Sequence, residues 1–325
     1  MEEQTVLLNN ILFAETILKS KYIRDHYLAK NGLEKTIERF NQVGNKKIYS
    51  AIDVHKVIFD SICSGKPLMV GRYGSIELLC TAKENLKISY KKESSLQILC
   101  NNAGFFPNDK KYLKEFADLY ISSSQYSDVQ GVWYLPFEDY AVKKWLPDSV
   151  VLTEIRYLEP WFSSQPWTKA LEGKDVLVIH PLVNTIENQY RINKHNLFEN
   201  PDLLPEFNLI TVKAVQTIAG TKDDRFPTWF DALEYMFNEA MKHNFDIALI
   251  GCGAYGYPLA AKIKAAGKQA IHMGGVLQAM FGIKGKRWEE DPNPIVRNLY
   301  NDYWVRPDKS DVPPENKRVE NGCYW

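Results

Sequence analysis

Two stretches of this chain concentrate side chains able to act on a phosphorylated ligand. The early one is Gly71-Arg72-Tyr73-Gly74-Ser75-Ile76-Glu77. Its arginine can fork to phosphate or carboxylate oxygens, and Glu77 can take a proton or ligate a metal. Helix capping accounts for the same residues equally well, with Ser75 as the cap and Glu77 favoured in the first turn. The late stretch runs from Phe245 to Trp288 and places Gly251, Gly253 and Gly256 in a G-x-G-x-x-G spacing around Tyr255. Glycines at such a turn let a backbone approach a ligand closely, and the following helix start attracts phosphate. A second pair, Gly274 and Gly275, follows His272, and Lys284, Lys286 and Arg287 come soon after. Close packing between strand and helix would also require glycine at these turns.

Several other residues fall where they can join these two stretches. His180 ends an apolar run and can serve as a base or touch a sugar hydroxyl, or simply bond within its loop. Asn184, Glu187, Asn188, Tyr190 and Arg191 follow it at helical spacing and suit either a sugar or a solvated face. Lys213, Gln216 and Thr217 leave another strand with no apolar purpose for all three. Asp223 and Asp224 read as a solvated turn, or as a source of a further carboxylate. Trp229 and Trp288 can stack on a ring, although tryptophan more often belongs to a core. Cys252, inside the glycine turn, is the one thiol placed for acidification at a helix start.

The elements that must position these residues alternate. Apolar runs at Pro67–Val70, Gly131–Pro136, Lys174–His180, Leu209–Val212, Asp246–Ile250 and Gln269–Met273 read as strands. Helical spacing covers Asp53–Ser61, much of Ser94–Ser123 with breaks at Gly104 and Pro107, Ile186–Phe198, Phe226–His243 and Pro258–Ala266. In the helix from Phe226, Phe230, Leu233, Met236, Phe237 and Met241 share one face. Such alternation predicts an α/β fold, a Rossmann-like and mostly parallel sheet with helices on both faces. In that fold the glycine turns share the carboxyl edge where ligands bind. Residues 1–50 read as a helical N-terminal extension, 51–290 as the α/β domain, and 291–325 as an extended tail whose Tyr300, Tyr303 and Trp304 dock in part.

The chain has 325 residues, 45% of them apolar, enough for a large core. Forty basic residues balance forty acidic ones, so a broad nucleic-acid or membrane-binding surface is not expected and a phosphate must be met locally. The start is acidic, and nowhere do eighteen apolar residues run together, so a cytoplasmic protein without a transmembrane segment is expected. The five scattered cysteines have neither disulfide nor metal spacing. Neutral charge and the aromatic tail permit self-association.

GRYGSIE after an early strand, with GCGAYG, HMGG and KGKRW late in the chain, resembles the bacterial glycosyltransferases of the GT-D fold and related capsular-polysaccharide biosynthesis proteins. The resemblance spans about residues 67 to 288 as an order of elements. It implies transfer of a sugar from a nucleoside-diphosphate donor to a saccharide acceptor of a cell-surface polysaccharide. Arg72, Gly71 and Gly74 and the late glycine and basic residues would then hold the donor, with Glu77 or His180 as base. The family places a D-x-E motif at the diphosphate through Mn²⁺ or Mg²⁺, and its positions fall on Ser75, Ile76 and Glu77. Serine replaces the aspartate, which weakens the case for a metal held by Glu77. Two further readings stand beside this one. A nicotinamide-dependent oxidoreductase would use the same glycine turn, but the acid expected about 20 residues on is absent, since the next strand ends in His272. A non-catalytic nucleotide-sugar-binding protein would keep the fold without the aspartate.

Overall fold

The computed structural model describes residues 42–43, 46–88, 92–221, 223–313, 322 and 325. Among the described residues nine strands form one sheet: β1 Gln42–Val43, β2 Lys46–Tyr49, β3 Leu68–Arg72, β4 Val129–Val132, β5 Val151–Glu154, β6 Asp175–His180, β7 Asn208–Lys213, β8 Ile247–Ile250 and β9 Gln269–His272. Their order is β1-β2-β5-β4-β3-β9-β8-β6-β7, and every pairing except β1 with β2 is parallel. This is the Rossmann-like α/β sheet that the alternating pattern predicts. Strand β2 precedes residue 51 and already pairs with β5, Ile48 opposite Leu152.

The helices, in chain order, are α1 Ala51–Cys63, α2 Ser75–Asn85, α3 Lys92–Ala103, α4 Leu113–Ser124, α5 Glu138–Lys144, α6 Val183–Asn193, α7 Trp229–Met241, α8 Gly256–Ala265, α9 Leu277–Met280 and α10 Lys286–Glu289. Successive strand residues point to opposite faces, so each strand feeds two cores. Met69, Leu177, Ile179 and Ile250 pack with α2, α4, α7 and α8, whereas Leu68, Val70, Val176 and Val178 pack with α1 and α6. Helix α7 starts at a capping box in which Thr228 and Asp231 satisfy each other's backbone N–H groups. Of its expected apolar face, Leu233 and Met236 are buried, and Phe230, Phe237 and Met241 are partly buried.

One strand expectation shifts in its bounds. Strand β4 ends at Val132, leaving Trp133–Pro136 as loop, because Tyr134 takes a left-handed φ of 62°. Strand β5 lies between β2 and β4 and receives hydrogen-bond partners on both sides. Within the tail, Trp304 and Asp311 dock on the α/β domain. Trp304 is buried and donates through Nε1 to the Leu197 carbonyl at 3.2 Å, and Asp311 accepts from the N–H and hydroxyl of Thr185, both at 2.8 Å. The helical lead-in expected over residues 6 to 43 lies outside the described residues up to residue 41; Gln42 and Val43 form β1. No helix among the described residues is long and apolar enough to cross a membrane.

Candidate active site

A cavity of about 490 Å³ opens over the carboxyl ends of β3, β9, β8 and β6. Strands β3 and β9 are sheet neighbours from distant parts of the chain. Open α/β sheets hold their ligands outside the carboxyl ends of their strands. Arg72, Gly74, Ser75 and Glu77 enter the cavity from the β3 end, His180 from β6, Gly251, Gly253 and Tyr255 from β8, and His272, Gly274 and Gly275 from β9. Gln216 and Arg287 complete the set of expected residues that line it.

The glycines do more than open space for a ligand, because four of them seat a functional side chain. Gly274 has a φ of +65°, and a Cβ there would come within 2.6 Å of Cζ and 2.8 Å of Nε of Arg72. The guanidinium is held in that seat by Nε–H, which donates to the Met273 carbonyl at 3.1 Å. Gly74 precedes helix α2, and the carboxylate of Glu77 folds back over it into the space a Cβ would fill. On Gly251 rests the His180 ring, its Cδ2 only 2.7 Å from where a Cβ would stand, and on Gly256 rests His272, with Nε2 at 2.5 Å. Replacing any of these glycines with a larger residue moves the side chain it carries.

His180 is buried, and its Nδ1 accepts a hydrogen bond from the Leu182 N–H at 3.0 Å. That bond occupies the lone pair a base would use and leaves the ring proton on Nε2. Burial also lowers its pKa to about 3, so the ring is neutral at physiological pH. His272 is held down to about 3 as well, by burial first and then by the charge of Arg72. Glu77 is buried and is the one acid among the lining residues. Arg72 and Arg287 supply the cavity with cationic charge.

The walls are joined by short bonds between loops. Thr217 donates its hydroxyl proton to the Gly104 carbonyl at 2.6 Å and shares a 3.0 Å bond with the Tyr255 hydroxyl. Tyr255 stacks on Trp229 at 4.8 Å between ring centroids, so Trp229 belongs to the core. On the other side Trp133, Leu135 and Pro136 form a wall in the loop after β4. Buried Glu138 organises this loop, its Oε2 accepting from the N–H groups of Trp133 and Leu135, each at 3.0 Å. Burial raises that carboxyl to about 7.

No protein-family model matches the chain, and no curated protein matches it either. Among solved structures, a selenomethionine-substituted structure of domain of unknown function 1792 is similar at 12% identity and a TM-score of 0.43, covering 86% of this chain and 95% of that chain. A second, described as showing that the highly conserved domain of unknown function 1792 has a distinct glycosyltransferase fold, has the same identity of 12% and TM-score of 0.43, covering 82% and 93%. At this degree of likeness the neighbours decide nothing about chemistry, which rests on the cavity.

Five expected site residues lie outside the lining. Gly71 packs against Tyr257, where a Cβ would meet Cε2 at 2.8 Å, and Gly256 serves by seating His272. Lys213 faces Asp311 at 3.4 Å, Lys286 pairs with Glu290 at 3.4 Å, and Lys284 lies over the Tyr300 ring at 5.6 Å from its centroid. Of the late basic group only Arg287 lines the cavity, because Lys286 on α10 turns to Glu290 and Lys284, before the helix, turns to Tyr300. Cys252 is buried, which pushes its thiol up rather than acidifying it. Trp288 is likewise buried in the core.

In the lining a divalent metal would find Glu77 as its one carboxylate side chain, with the Ser75 hydroxyl in the same lining. Mg²⁺ is commonly held by one or two carboxylates together with substrate phosphates and water. Among the described residues no group of three or more His, Cys, Asp or Glu side chains is placed to hold an ion. Of the two candidate sources of a further carboxylate, Asp223 is bonded by Arg225 at 2.9 and 2.6 Å, and neither it nor Asp224 lines the cavity. Trp133, Asn102 and Gln278 also line the cavity and carry no signal in the sequence that marks them.

Proposed function

We propose that this chain is a glycosyltransferase that moves a sugar from a nucleoside-diphosphate donor to a hydroxyl of a saccharide acceptor in cell-surface polysaccharide assembly. The observation that carries the reading is the meeting of Arg72, Glu77 and His180 in one cavity at the carboxyl edge of the sheet. That cavity offers an anion site and a single carboxylate in the same space. The polysaccharide context is supported by the family resemblance of the two glycine-rich stretches alone.

In the reaction, the acceptor oxygen attacks the anomeric carbon and its proton passes to the Glu77 carboxylate. The bond from that carbon to the diphosphate oxygen breaks, and its electron pair leaves with the diphosphate toward Arg72. Seating of both side chains by glycines fixes them before substrate arrives, which is where positioned charge is most effective. His180, with its lone pair occupied, serves as a donor, leaving the base role to Glu77.

The test is a panel of nucleoside-diphosphate sugars scored for release of nucleoside diphosphate in the presence of oligosaccharide acceptors. Glu77→Gln is expected to retain donor binding and lose turnover, and Arg72→Ala to lose about 10²-fold or more in kcat/KM. Full turnover by Arg72→Ala defeats the assignment. Donor binding without any release assigns a binding role instead. A nicotinamide dinucleotide is disfavoured by His272, which takes the strand-end position where an acid would meet the ribose.

A further inference from the structure

We infer that the leaving diphosphate is neutralised by side chains alone, Arg72, Arg287 and the Nε2–H of His180 standing in for a divalent cation. This rests on the transferase reading and adds how that reaction stabilises its leaving group. The first support is the inventory of acids. Glu77 is the one acidic side chain in the lining, and of the acids outside it Glu159 feels the charge of Arg156 and Arg72. Glu138 holds the backbone of the Trp133 loop, Glu159 accepts from the Trp161 indole N–H at 2.9 Å, and Asp223 is taken by Arg225. A metal held by Glu77 and the Ser75 hydroxyl would have one charged ligand where the D-x-E pattern supplies two.

The second support is that the same space holds what a metal would otherwise contribute. Two guanidinium groups against one carboxylate side chain leave the lining's side chains with a net positive charge, suited to a diphosphate that goes from two negative charges to three as it leaves. Arg72 is fixed by the Met273 carbonyl and by its seat on Gly274, so it is positioned before the ligand binds. His180 is fixed in the tautomer that donates from Nε2, because the Leu182 N–H holds Nδ1. Donors arranged in advance around developing negative charge stabilise it with little reorganisation.

The experiment is calorimetric titration of the full chain with inorganic pyrophosphate in excess EDTA, then with Mn²⁺ or Mg²⁺, alongside donor turnover under both conditions. Binding in EDTA is expected, weakened about tenfold or more by Arg287→Ala and partly restored by Arg287→Lys. Glu77→Gln gives a readout of opposite sign for the two cases. Removing a repulsive carboxylate from a metal-free cradle tightens pyrophosphate, whereas removing a metal ligand weakens it. Pyrophosphate binding that requires added metal, or that Glu77→Gln weakens, overturns the inference. Turnover that EDTA abolishes and Mn²⁺ restores overturns it too, while leaving the transferase reading intact. Metal-free pyrophosphate binding with no turnover of any nucleotide sugar sinks the transferase reading and leaves the cradle standing.

Discussion

Gly74→Ala separates the placement of Glu77 from the stability of the fold. Gly74 has φ −78° and ψ 145°, a conformation any residue adopts, so alanine introduces no backbone strain. Loss of a glycine N-cap and the stiffer unfolded chain act in opposite directions, leaving a net stability change within about 1 kcal/mol. The added Cβ, however, falls well inside all three carboxylate atoms of Glu77, and ordinary contact begins at 3.4 Å. The carboxylate must therefore retreat by about 1 Å, a misplacement that costs about 10²-fold in rate when the group does chemistry. The assay pairs initial rates of nucleoside-diphosphate release with a melting temperature and a donor titration on one preparation. Expected are a melting temperature within about 4 °C of wild type, unchanged donor affinity and turnover down by about two orders of magnitude. The double variant Gly74→Ala/Glu77→Gln should be no slower than Glu77→Gln alone, because both changes act on one carboxylate. Wild-type turnover from Gly74→Ala refutes the assignment of Glu77 as base. Additive losses in the double variant refute the route through Glu77.

Glu138 has its carboxyl raised from 4.5 to about 7 by burial, so its neutral form favours the fold. Stability from this group is fully present below pH 4.5 and lost as pH rises through about 7, by about 3 kcal/mol. Glu138→Gln should flatten the fall in melting temperature over that window, and an unchanged profile would count against it. Asp311→Ala leaves the two buried Thr185 donors unpaired and should lower stability by about 3 kcal/mol in urea titration, with faster proteolysis at Lys309. Iodoacetamide on the native protein should label exposed Cys63 before buried Cys252, and Cys252→Ser should keep wild-type turnover.

The sheet was legible because its central strands are continuous apolar runs that stop at glycine or proline, as Lys174–His180 does between Gly173 and Pro181. The glycine turns were legible as turns, but what rests on them was not. That the Arg72 guanidinium lies on Gly274, some two hundred positions away, follows from β3 and β9 being neighbours, which no local pattern encodes. Lys284, Lys286 and Arg287 look alike in sequence, and only the folded neighbours Tyr300 and Glu290, which draw Lys284 and Lys286 away, distinguish Arg287 from the other two. Glu138 carries no signal at all, since its partners are backbone N–H groups of a loop that the alternation of Gly131–Pro136 reads as strand. His180 was legible as a strand end at the right edge, while its tautomer depends on the Leu182 N–H that only the folded turn brings to Nδ1.

The pairing of β3 with β9 also sets the order in which a ribosome can complete this protein. Leu68 waits beside an open edge until Gln269 has been made, and the same late strand closes the exposed side of β8. Until then the nascent chain carries two half-sheets, each with a bare apolar edge able to pair with a neighbour. Arg72 has no seat and His272 is not yet present, so binding capacity arrives in one step with the insertion of four residues, Gln269–His272. Shortening the chain before β9 should therefore yield aggregation rather than a weakened binder.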